Sequence, residues 1–143
     1  MPKQNIDLLN SLYKTAAMGT FTIQSILPKV ENPNLREELS AQLDNYHTET
    51  KALKEQIFNE KGVPEDIGNF TKFYADLEIS VSTMKDCSPS HIAEMIIKGS
   101  NMGILDVQKN LNACSNPPPD VKKKANAMLK QEQEYINKMK SYL

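Results

Sequence analysis

Arginine is nearly absent. Arg36 is the only one among 17 basic residues, the rest being lysine, and these face 18 acidic residues. Arginine's planar fork is the usual reader of phosphates and base edges, so a near-neutral chain with a single arginine is not expected to take nucleic acid as its partner. Long apolar runs are missing too. No stretch approaches the ~20 residues needed to span a bilayer, and the opening MPKQNIDLLN lacks the apolar centre of a secretory signal. Cysteine is scarce, with Cys87 and Cys114 alone. If the chain between them is one helix, a rise of ~1.5 Å per residue holds them roughly 40 Å apart, far beyond the ~7 Å that a disulfide tolerates. Two free thiols suit a reducing, cytoplasmic setting. There is no Gly-rich phosphate loop, Cys-x-x-Cys pair, His-Glu-x-x-His or nucleophile elbow, which removes the common signatures of nucleotide, thiol, zinc-protease and serine-hydrolase chemistry. No segment carries a convincing strand signal.

What is there is helical periodicity, over a length that makes residues 1–143 one domain with one core. The first segment carries Ile6, Leu9, Tyr13, Ala16, Thr20, Ile23, Leu27 and Val30 at spacings of three and four, with Asn5 as its expected cap and Pro28 disturbing its last turn. The second opens on Asn32-Pro33, runs along Leu35, Leu39, Leu43, Tyr46, Thr50, Leu53 and Ile57, and is expected to stop at Gly62 as a C-terminal cap. After Val63-Pro64 a shorter helix shows Ile67, Phe70, Tyr74, Leu77, Val81 and Met84 on one face. Ser88-Pro89 repeats the cap-proline signal ahead of a fourth segment with Ala93, Ser100, Ile104, Val107 and Leu111 on its stripe. The fifth follows Pro117-Pro118-Pro119, with Asp120 to cap or charge its start.

Each long segment turns polar near its middle. Thr20 stands there in the first, Asp44, Tyr46 and His47 in the second, and Ser100 in the fourth. In the fifth, Glu132 interrupts the stripe Val121, Ala125, Met128, Tyr135, Met139, Tyr142. An isolated buried carboxylate is costly, so Glu132 must be bonded, paired or neutral. Thr20, Tyr46, Ser100 and Tyr135, with His47 as a further partner, are the expected members of a central polar layer that satisfies it and sets helix register.

The order long, long, short, long, long, together with NPNLREELSAQLDNYHTETKALKEQIFNEKG, LEISVSTMKDCSPSHIAEMIIKGSNMGILDVQKNL and PPPDVKKKANAMLKQEQEYINKMKSYL, resembles the ferritin-like superfamily over nearly the whole chain. It is most similar to small bundle families of low-GC Gram-positive bacteria. The resemblance implies an all-α, ferritin-like up-down four-helix bundle whose short helix is the crossover between the second and third bundle helices. It implies no activity by itself.

Di-iron sites of this type use one glutamate from each of two helices and Glu-x-x-His from each of the other two. Here Asp44-x-x-His47 is a shortened version, and Glu132-x-x-Tyr135 has tyrosine in place of histidine. Met18-Gly19-Thr20 and Gly99-Ser100-Asn101 stand where the single glutamates belong. The candidate metal ligands are therefore Asp44, His47 and Glu132. They carry too little charge for two hard cations, although three protein ligands plus water is a known zinc geometry.

The leading expectation is a non-enzymatic structural or interaction protein with a vestigial polar layer and no cofactor, partnered by another protein or by a second copy through Phe70 and Tyr74. The alternative is a metal-binding protein or oxidoreductase with a mono- or dinuclear Fe, Zn or Mn centre, at its simplest a single zinc or iron ion. A coat- or stress-associated role is a third expectation. Gly99-x-x-x-Gly103 is expected to bring the fourth segment close to the first rather than to open a ligand cleft. His91 with Glu94 reads as a surface pair, and Lys122-Lys123-Lys124 as a solvated basic turn.

Overall fold

The computed structural model describes residues 2–64 and 71–143, which contain helices and no strand. Local chemistry accounts for where most of them begin. Ahead of α2 (Pro33–Asn59), the Asn32 side chain accepts the Leu35 N–H at 3.0 Å. Ahead of α4 (Pro89–Ala113), Ser88 does the same for His91 at 3.2 Å. Each is followed by a proline that has no N–H to satisfy and a φ already suited to a first turn. α5 (Pro119–Lys140) starts without a side-chain cap, and Asp120 lies within its first turn, where negative charge complements the helix dipole.

Two other signals are used differently. α1 (Lys3–Ile26) begins ahead of Asn5, with Pro2 at the cap. Asn5 is buried instead, and its side-chain oxygen accepts the Cys114 thiol at 2.8 Å, joining the first turn of α1 to the end of α4. Gly62 is not the left-handed residue that ends α2. Lys61 takes that conformation, at φ 60°, and its N–H reaches Phe58 O while the Gly62 N–H reaches Ile57 O, the paired bonds of a Schellman ending. Gly62 serves another need: a Cβ there would sit 3.0 Å from Ile6 Cδ1 and 3.1 Å from Ile57 Cγ2. The glycine lets α1 close over the end of α2. Pro28 falls in a 3-10 turn, Leu27–Lys29, that ends the first helix.

α1 packs against both α2 and α4, and α5 packs against α4. Asn10 Nδ2 donates to Val63 O just beyond α2, and Arg36 near the start of α2 reaches Leu27 O and Val30 O, so these two helices run antiparallel. The Asn5–Cys114 bond and the Ser11–Asp106 bond of 2.6 Å make α1 and α4 antiparallel as well. α2 meets α5 through side chains, with Lys138 3.5 Å from Glu38 at one end and Gln56 3.0 Å from Asp120 at the other. It follows that α2 and α4 point the same way, and the chain must travel back along the molecule between them. α3 (Thr71–Ser82) lies on that return path and packs on α1. Its Tyr74 ring sits over Phe21 with centroids 4.1 Å apart, so Tyr74 is engaged within the chain. Ile67 and Phe70 lie outside the described residues.

The core is one cluster shared by the long helices, including Leu8, Leu9, Leu12, Leu35, Leu39, Ile57, Ile92 and Met139 with almost no exposure. Each such side chain contributes roughly 1.5–3 kcal/mol by leaving water. Among the described residues no helix is long and apolar enough to cross a membrane. Both cysteines are free thiols, Cys114 buried and Cys87 half-buried.

Candidate functional site

On α5 the stripe formed by Val121, Ala125, Met128, Glu132, Tyr135 and Met139 is buried, which carries one carboxylate into the core. Glu132 is 2% exposed. The Tyr46 hydroxyl, projecting from α2, donates to it at 2.6 Å from Oε2 and 2.8 Å from Oε1. Ser100 on α4 makes a long contact of 3.5 Å to Oε2. Burial pushes the Glu132 carboxyl up to about 7; the Tyr46 hydroxyl pulls it back and the nearby charge of Glu49 adds repulsion. Burial, and then the charge of Glu132, hold the Tyr46 hydroxyl well above its usual range, so it stays a donor. Tyr135 meets Tyr46 edge to face at 5.5 Å, accepts from Asn45 at 3.0 Å, and is pushed up to about 12 by burial. Gln131 donates to Glu49 at 2.7 Å beside this cluster.

The sequence candidates separate into two groups. Glu132, Tyr46, Ser100 and Tyr135 lie together. Thr20 does not join them, because its hydroxyl turns back to the Ala16 carbonyl of its own helix at 2.9 Å. Asp44 and His47 are exposed, and a His47 ring nitrogen shares a 3.1 Å hydrogen bond with Gln24. The proposed ligand trio is therefore not brought together, and among the described residues no group of three His, Cys, Asp or Glu is placed to hold a metal ion. His91 and Glu94 form no such group either; Glu94 pairs with Lys98 at 3.0 Å.

One feature lay outside the sequence reading and another was set aside by it. The first is Gln42, one turn before Tyr46 and on the same face of α2. It is 1% exposed, its Nε2 donates to Glu38 at 3.3 Å, and its Oε1 has no hydrogen-bond partner among the described residues. The series Leu39, Gln42, Tyr46, Leu53, all buried, is the signal that could have found it. The second is a cleft of about 460 Å³ between α1 and α4, bordered by Phe73 of α3 and reaching Gln42, Tyr46, Ser100 and Glu132 at its foot.

The glycines of α4 explain how a close helix pair leaves such a space. A Cβ on Gly103 would come 2.7 Å from Thr15 Cγ2, so α1 and α4 touch there. Thr15 is held by its bond to Ser11 O at 2.9 Å and cannot easily turn away. One turn earlier, a Cβ on Gly99 would meet nothing within 4 Å. The pair thus does both things that the sequence reading set against each other: Gly103 closes the contact and Gly99 faces the opening. Gly99→Ala is expected to stabilise the fold by about 1 kcal/mol, the helix-propensity gain of alanine over glycine. Gly103→Ala is expected to destabilise it by about 1 kcal/mol, since overpacking exceeds that gain. Urea unfolding of both variants checks the opposite signs.

Chemically, the foot of the cleft holds a proton near neutrality and presents hydrogen-bond acceptors. Among the described residues the cationic side chains that line the cleft are Lys14 and Lys109, and Lys14 is paired with Asp106 at 3.5 Å. Compared with protein families, curated proteins and solved structures, the chain matches none.

Proposed function

We propose that this chain is a non-enzymatic structural or interaction protein built on a bundle of ferritin-like type, with a vestigial, protein-only polar layer where such bundles hold two metals. The observation that carries this reading is the contact of the Tyr46 hydroxyl with both oxygens of Glu132. It gives the buried carboxylate a partner from the protein itself, while Asp44 and His47 face outward. The parallel course of α2 and α4, which forces a long return connection bearing α3, supports the ferritin-like part of the reading. The partner in this reading is another protein, with a second copy of the chain as the simplest case.

The test is elemental analysis of untagged protein from cells grown with iron, zinc and manganese. The expected result is metal far below one ion per chain and a melting curve unmoved by chelator. Near-stoichiometric metal that disappears in both Glu132→Ala and His47→Ala would overturn the proposal in favour of a metal-binding oxidoreductase.

A further inference from the structure

We propose that the cleft between α1 and α4 is a binding site for a small molecule with a primary-amine head and an apolar body, its ammonium seated against Gln42 and Glu132. This stands on the cleft and its foot, independently of the ferritin-like reading. The cleft's volume of about 460 Å³ falls within the range of small-molecule sites. Its upper walls are apolar and adaptable, formed by Met18, Ile96, Phe73 and Met102, with bare helix at Gly99.

The foot selects the head group. Gln42 Oε1 is a buried acceptor with no donor among the described residues, a state that native proteins rarely leave uncompensated. Glu132 has accepting capacity beyond what Tyr46 and Ser100 use, since a carboxylate offers about four lone-pair positions. The Thr15 hydroxyl spends its proton on Ser11 O and turns only lone pairs to other donors. Thr15 of α1, Gln42 of α2 and Glu132 of α5 thus bring acceptors to one cleft, and among the described residues no lysine or arginine is bonded to any of the three. An ammonium is donor-only and positively charged, so it answers every one of these groups. A carboxylate or phosphate would set acceptor against acceptor, and a neutral alcohol would bring a single proton and no charge.

The experiment is titration of the ¹⁵N-labelled full chain at pH 8 with phenethylamine, hexylamine and cyclohexylamine, each beside its alcohol and carboxylic acid counterparts. At least one amine is expected to shift the amides of Gly19, Gly99 and Ser100, and to bind about tenfold or more tightly than its alcohol, because a buried polar foot rejects the analogue that leaves it unpaired. Gln42→Leu, which keeps the volume, should abolish that preference, and Gly99→Leu, which fills the cleft, should abolish binding. An alcohol or acid binding as tightly as its amine would overturn the assignment of ligand class. No shift at these amides with any of the three amines would overturn the site.

Discussion

Replacing Glu132 by glutamine is expected to raise stability by less than about 1 kcal/mol at pH 5 and by about 3 kcal/mol at pH 8. Burial raises the carboxyl from 4.5 to about 7. Between those values the native protein keeps a proton that the unfolded chain has released, so native stability falls as pH rises. The contribution is fully present below 4.5 and is gone once the pH has passed 7. At about 1.4 kcal/mol per unit, the window costs the wild-type protein an amount that the neutral amide never loses. Glutamine can also accept from Tyr46 and offer a proton to Ser100, so the layer stays bonded. Burial raises Glu49 in the same direction; that burial is present in both proteins and cancels in the comparison, while its repulsion of Glu132 is already part of the Glu132 shift. Urea unfolding at the two pH values is the measurement. Parallel curves for wild type and variant would mean that Glu132 does not take up its proton in this range.

The second large effect belongs to the other half of the same contact. Tyr46→Phe keeps the ring packed against Tyr135 and removes only the hydroxyl. At pH 8, where Glu132 is ionised, the loss of a charge-assisted hydrogen bond is expected to cost about 1.5–3 kcal/mol. At pH 5, where the carboxyl is protonated, the bond is neutral and its loss should cost about 1 kcal/mol. Because the hydroxyl holds the Glu132 pKa down, its removal should also extend the pH-sensitive range above 7. In the Glu132→Gln background the cost of Tyr46→Phe should become the same at both pH values. A cost independent of pH in the wild-type background would show that the phenol does not stabilise the ionised carboxylate.

Helix existence, most starts, and the inner face of α5 are local properties and were readable. Asn32-Pro33 and Ser88-Pro89 act as caps through bonds within a single turn. Asn5 and Gly62 were misread because distant neighbours use them: Cys114 takes the amide of Asn5, and Ile6 needs the space at Gly62. The trio Asp44, His47, Glu132 fails on helix geometry. At about 100° per residue, Asp44 lies about 160° around α2 from Tyr46 and His47 about 100° from it. Once Leu39, Gln42 and Tyr46 face inward, Asp44 must face water. The cleft was not readable from spacing alone, because Gly99 and Gly103 are alike in sequence and differ only in whether Thr15 stands opposite.

The chain's topology also sets when its interactions become available. α1 with α2, and α4 with α5, are joined by connections of a few residues, so each pair closes at small entropic cost. The Tyr46–Glu132 and Ser11–Asp106 bonds span 86 and 95 residues and join one pair to the other. If the hairpins form first, the buried carboxylate gains its phenol only when they dock. The polar layer then belongs to the last event of folding, and its loss to the first event of unfolding.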